Sequence, residues 1–237
     1  MTPDFDRSSY WRGVRGGLPF VLVVGPFALL FGVVATEAGL SLFETMTFAI
    51  TVVAGAAQFT ALQLMSENAP TFVVIASALA VNLRLAMYSA SLTPHLGALP
   101  LWRRALAAYF LVDQNYALAS ARFDRQPDMT TGQKFAYFMG AVTPVAPNWY
   151  LWTLIGAWIG KSIPPELALD FAVPITFLAM LGPMLRTGAH VAAALVAVAC
   201  ALIFAFVPYN LGLILAGIAG MMTGARVELW MEKQGVS

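Results

Sequence analysis

Charge and cysteine are what this chain has least of. Only 11% of its 237 residues are Asp, Glu, Lys or Arg, against about 25% in an ordinary soluble domain. At the same time 59% are hydrophobic, a composition that points to an integral membrane protein. Acidic and basic residues nearly balance, leaving a net charge of +1, so no surface for nucleic acid or a strongly acidic partner is expected. The one cysteine, Cys200, lies inside an apolar run, which excludes an internal disulfide and a thiolate metal site. The two histidines, His95 and His190, fall near the ends of apolar segments. With one buried cysteine they make no nucleophile–base pair and no ligand set, so neither enzyme chemistry nor a metal or cofactor is expected. The first apolar segment is too long for a cleaved signal and is followed by many more, so it reads as retained.

A membrane span needs about 20 predominantly apolar residues. Eight candidates follow, at 18–37, 42–66, 70–92, 104–121, 134–159, 165–185, 188–207 and 209–225. The expected fold is an all-α, polytopic transmembrane helix bundle of about eight spans. A segment at 1–16 precedes it, a single transporter domain fills 17–226, and a tail follows at 227–237. The polar stretch 122–133 divides that domain into halves at 17–121 and 134–226. A faint echo between 44–49 and 167–172 agrees with duplication. The positive-inside rule favours cytoplasmic termini, with Arg103 and Arg104 as the dissenting pair. Turning one segment into a re-entrant loop would move that pair to the other side.

Breaks in the apolar runs cluster at similar depth. Proline removes a helix hydrogen bond and frees a carbonyl. Gly25-Pro26 lies near the centre of the first candidate, Pro144 and Pro147 bracket the centre of the fifth, and Pro174 lies in the sixth. The second is interrupted at Gly55-Ala56-Ala57-Gln58. Unwound backbone at mid-membrane is tolerated where it lines a cavity, and paired broken helices mark substrate sites in transporters. Gly25, Pro26, Gly55, Pro144 and Pro147 are therefore expected to line a site.

Two charges sit where lipid would penalise them. Arg84 lies within Ala80–Tyr88 and Asp113 within Tyr109–Tyr116, and a charge at the bilayer centre costs roughly 2.5–3.5 kcal/mol on insertion scales. In an antiparallel hairpin of the third and fourth spans their depths differ by roughly 3 Å at 1.5 Å per residue, so an ion pair is expected. Three roles remain open for it. It is a structural pair; or Arg84 holds a substrate carboxylate and Asp113 an ammonium; or Asp113 carries a proton. Tyr88 shares the Arg84 face at i+4, whereas Asn82 and Asn115 point elsewhere. Gln58 on its own reads equally as an amide joining helices.

The elements Gly55-Ala56-Ala57-Gln58-Phe59, Asn82-Leu83-Arg84 with Tyr88, and the Asp113 segment, followed by Thr153–Ala157 and Leu169–Pro174, resemble the AzlC-type family of branched-chain amino acid exporters over roughly residues 12–225. The resemblance implies multi-pass insertion in a bacterial inner membrane. It also implies export of a small hydrophobic amino acid, methionine in some members, driven by the proton-motive force. A small AzlD-type membrane subunit would be the partner. The family's Thr-Asp-Glu is here Val112-Asp113-Gln114, which leaves Asp113 as the one acid of that segment. On this reading the substrate-binding residues are Gln58, Asn82, Arg84, Tyr88, Asp113 and Asn115. The rival is a non-transporting membrane assembly or scaffold subunit in which Arg84–Asp113 is purely structural.

Overall fold

The computed structural model describes residues 5–160, 185, 187–207 and 211–234, and among these every regular element is helical. Pro174 and most of the expected sixth span lie outside them. The chain forms two compact units, one of Met1–Leu62 with Val81–Leu167 and one of Gln63–Ala80 with Ala168–Ser237.

The first unit begins with α1 (Arg7–Gly17), which passes through a single 3₁₀ turn into α2 (Val21–Glu37). Asp6 caps α1 by accepting from the Ser8 and Ser9 amides and hydroxyls. Gly39, at φ +90°, makes the turn into α3 (Leu42–Thr51). There Ser41 and Glu44 cap each other's backbone N–H. After a three-residue break come α4 (Gly55–Ser66) and then α5 (Thr71–Leu96), which belong to this unit up to Leu62 and from Val81. A second break, at 110–112, separates α6 (Leu101–Tyr109) from α7 (Asp113–Arg125). A second capping box, Thr130 with Gln133, starts α8 (Thr131–Val142), and Thr143-Pro144 divides α8 from α9 (Val145–Gly160).

Two long rods form the frame. A Cβ on Gly13 would fall 2.2 Å from the Tyr137 carbonyl, and one on Gly140 would fall 2.0 Å from the Tyr10 carbonyl. Farther along, Gly32 meets the Thr153 carbonyl at 2.2 Å and Gly156 meets that of Leu29 at 2.0 Å. Contacts this close need glycine on both sides, as small residues permit generally in membrane helix pairs. Both matches advance in chain order, so α1–α2 and α8–α9 run parallel.

The broken segments do not run through from end to end. In α3–α4, Phe48 before the break and Phe59 after it both pack on Phe31, at 5.8 and 5.5 Å between ring centroids. The Gln58 amide reaches back to the carbonyls of Val52 and Ala49. The chain has turned round. In α6–α7 the reversal is traced along α5. Asp113 pairs with Arg84, Tyr116 with Tyr88 and Ser91, and Phe123 with His95, so α7 runs parallel to the second half of α5. Meanwhile α6 returns antiparallel from the short loop after Leu96. The expectation of one span each at 42–66 and 104–121 therefore gives way to two helical hairpins. The antiparallel relation assumed for Arg84 and Asp113 is likewise replaced by a parallel one.

The hairpins enter the unit from opposite ends. The α6–α7 hairpin opens where α5 ends and α8 begins: Arg103 lies over Phe135, Arg122 over Tyr137, and the Lys134 ammonium meets His95 and the Pro127 carbonyl. Because α1 is level with α8, Arg7, Arg12 and Arg15 lie at the same end. The α3–α4 hairpin opens at the α2–α3 turn, flanked by Glu37 and Glu44.

In the second unit, α10 (Gly188–Ile203) and α11 (Leu211–Lys233) form a hairpin of their own. Gly220 and Gly224 face Ala193 and Ala197. Small residues on the two helices thus pack on each other.

Candidate functional site

Each hairpin tip is held by one buried amide. At the first, Val52 leaves helical geometry (φ −116°, ψ 87°), and the fully buried Gln58 ties its carbonyl. The Gln58 Oε1 atom has no hydrogen-bond partner among the described residues. At the second, the fully buried Asn115 accepts from the Val112 N–H at 2.9 Å and donates to the Phe110 carbonyl at 2.7 Å. These amides take over hydrogen bonds that the helix gives up at a break. Both polar atoms of the Asn115 amide are thereby engaged by backbone, whereas the Gln58 oxygen is not. The sequence alone suggests both as substrate ligands; the geometry gives them first the work of shaping the tips.

The tips meet. The Tyr109 hydroxyl at the end of α6 donates to the Ile50 carbonyl at the end of α3, at 2.7 Å, and lies 3.4 Å from the Tyr150 hydroxyl of α9. Neither tyrosine stands out as a ligand in the sequence. By spacing Tyr109 belongs to the Asp113 helix, but a break lies between them. Phe27, Phe31, Phe59 and Trp149 close around the first tip. A side chain at Gly55 would strike Phe27 at 2.8 Å and Trp149 at 2.9 Å, which is why glycine starts α4.

At the second tip stands the ion pair. Arg84 Nη2 lies 3.2 Å from Asp113 Oδ2, with 29% and 44% of the two side chains accessible. Asp113 is the first residue of α7, where the helix dipole and unpaired N–H groups favour a negative charge. Tyr88 lies close enough to Asp113 for a side-chain hydrogen bond and stacks on Tyr116 at 4.0 Å, with the rings 7° from parallel. Arg84 Nε, Asp113 Oδ1 and Asn82 Oδ1 are buried without a hydrogen-bond partner among the described residues. The pair is therefore bonded through one contact and retains capacity on both sides.

The prolines divide differently from expectation. Pro26 is exposed and α2 continues through it, while Pro147 lies exposed in the first turn of α9, a position where its missing N–H has no helical partner to lose. Neither breaks a helix. Pro144 does stand at the α8–α9 break, and Gly25 is buried against Trp152. The break at 110–112 contains neither glycine nor proline; its one trace in the sequence is the pair Asp113 and Asn115, residue types that favour helix starts. Asn148, which donates to the Val21 carbonyl at 3.2 Å and accepts from Trp152 Nε1, is likewise inconspicuous in the sequence. Among the described residues no cluster of His, Cys, Asp or Glu could hold a metal ion.

A cavity of about 350 Å³ lies between α5 and α6. Its lining runs from Gly97, Leu101 and Arg104 at the basic end to Ser89 and Leu111 near the tip.

Among the described residues, the helices long and apolar enough to cross a bilayer are Arg7–Glu37, Thr71–Leu96 and Leu211–Lys233. With opposed broken hairpins meeting beside an ion pair, these define a helical membrane protein of transporter type. The sequence matches the model of the AzlC family (AzlC protein) over residues 19–163, and the chain belongs to that family. It is 27% identical to the inner membrane protein YgaZ of Escherichia coli over 185 residues, covering 76% of this chain and 74% of that one. It is 28% identical to an uncharacterized membrane protein of Archaeoglobus fulgidus over 223 residues, covering 92% and 95%. No solved structure matches.

Proposed function

We propose that the chain is the large subunit of a secondary exporter of branched-chain amino acids, and of methionine, driven by the proton-motive force. The observation that carries this reading is the Arg84–Asp113 pair, 3.2 Å apart and partly accessible beside a hairpin tip. An accessible ion pair contributes about 0–1 kcal/mol, too little to justify two charges in an apolar bundle on stability grounds. A zwitterion supplies both replacement partners. Its carboxylate takes the Arg84 guanidinium, whose fork suits two oxygens, and its ammonium takes Asp113. Tyr88 adjoins the pair, and the aromatic and aliphatic surroundings suit a branched side chain. With Gln114 following Asp113, Asp113 is the carboxylate available to a coupling proton.

The charge distribution supports an orientation. Arg7, Arg12, Arg15, Arg103, Arg104, Arg122, Arg125 and Lys134 gather at one end of the first unit, so that end faces the cytoplasm by the positive-inside rule. On this reading the hairpin at 101–125 carries Arg103 and Arg104 on the cytoplasmic side with the other basic residues. The chain would work in a bacterial inner membrane with a small AzlD-type subunit as partner.

Efflux from preloaded vesicles, with and without a proton gradient, tests the reading. Leucine, valine and methionine are expected to leave in a gradient-dependent way, and lysine is expected to stay. Arg84→Ala should abolish efflux at normal expression; wild-type efflux in that variant eliminates the substrate role of Arg84.

A further inference from the structure

The geometry points to the cavity between α5 and α6 as the cytoplasmic vestibule through which an apolar amino acid reaches the Arg84–Asp113 pair, with Arg104 at its mouth and Leu111 closing its inner end. This rests on the export reading above and adds the route and its filter. The cavity volume, about 350 Å³, falls within the range of roughly 300–1,000 Å³ common for small-ligand pockets. It starts at the basic end, where Gly97 and Leu101 flank the loop between α5 and α6, and stops at Leu111 in the 110–112 break, two residues before Asp113. Leu111 is buried, so a shift of the hairpin tip is what joins the cavity to the ion pair. The tip is fastened for such a step by few bonds: Asn115 to its backbone, and Tyr109 to the opposite tip.

The lining suits one class of molecule. Leu92, Leu96 and Ala108 give it aliphatic walls, while Ser89 and Thr93 add hydroxyls. The Thr93 hydroxyl is already bonded to the Ser89 carbonyl, so the wall presents little free polar demand to a hydrocarbon side chain. Arg104 is exposed, and its guanidinium makes no ion pair or hydrogen bond among the described residues. A cation at the mouth of an apolar cavity attracts a carboxylate and repels a cationic side chain. That discriminates leucine from lysine before either reaches the ion pair.

The single native cysteine makes the test direct. In full-length protein carrying Cys200→Ala, Ala108→Cys is placed in the wall and treated with a membrane-impermeant anionic methanethiosulfonate, whose charge the basic mouth attracts. Labelling is expected in inside-out vesicles and not in right-side-out ones, with saturating leucine slowing it about tenfold and lysine leaving it unchanged. Thr93→Cys, on the facing wall, serves if the first variant does not fold. Absence of labelling, labelling from the opposite side, or labelling indifferent to leucine overturns the vestibule; the first outcome means that lipid or a partner helix fills the cavity. Leucine efflux is measured on the same vesicles, so efflux through an unlabelled protein defeats the vestibule alone, whereas a protein that exports nothing defeats the export reading. Arg104→Gln is expected to raise the KM for leucine by about tenfold with kcat unchanged; an unchanged KM removes its role as filter.

Discussion

Gly156 and Gly32 give the sharpest test of the frame. A Cβ at position 156 would sit 2.0 Å from the Leu29 carbonyl oxygen and one at position 32 would sit 2.2 Å from that of Thr153, whereas ordinary contact begins near 3.4 Å. Each obstacle is backbone, so no side chain can rotate away. Either Ala substitution must push α2 and α9 apart by more than 1 Å, a gap at which apolar contacts forfeit roughly a quarter to a half of their attraction. Overpacking of this kind costs about 1–3 kcal/mol. The two contacts are reciprocal, so a separation that admits one methyl largely admits the other. The double variant Gly32→Ala/Gly156→Ala is therefore expected to lose little more than the worse single one, a strong departure from additivity. Thermal unfolding of the purified protein in detergent, read as a double-mutant cycle, measures this. Single variants as stable as wild type, or a double variant whose loss is the plain sum, would refute the parallel close packing of these helices.

Asn115→Leu leaves the Phe110 carbonyl and Val112 amide unpaired and should cost about 1–3 kcal/mol per buried group, read in the same melting assay; wild-type stability there would mean that the tip is not held by this amide. Tyr109→Phe removes the bond between the two tips and should change efflux rate more than stability, since one neutral hydrogen bond contributes about 1 kcal/mol; an unchanged rate separates the tips functionally. Hydrogen bonds from the Ser9 and then the Ser8 hydroxyl hold the Asp6 carboxyl down, at about 2. With its pKa lowered on folding, the cap is fully effective above the ordinary carboxylate range and weakens as pH falls through about 2. Carboxyl NMR titration of Asp6 at an ordinary value would contradict that cap.

Composition alone sufficed for the class of protein, because a chain with 11% charged residues has too little polar surface to face water on all sides, while lipid tolerates little more charge than that. The ion pair was also legible, since Arg84 and Asp113 are conspicuous in apolar runs. Runs of apolar residues, however, do not record direction. A segment of 25 residues that turns back on itself has the hydropathy of one that crosses, which is why 42–66 and 104–121 read as spans. Proline was a poor guide for a related reason: Pro147 sits in a first turn, where its missing N–H has no partner to lose, and α2 runs on through Pro26, while the break at 110–112 depends on Asn115 bonding back to Phe110 and Val112. The amino-acid order thus determined which chemistry lies within the membrane, through the cost of placing each residue type there. Which ends are shared, in which direction the paired helices run and where the tips touch was decided only by tertiary contacts, because these depend on backbone reversals and glycine-to-carbonyl approaches that no periodicity encodes.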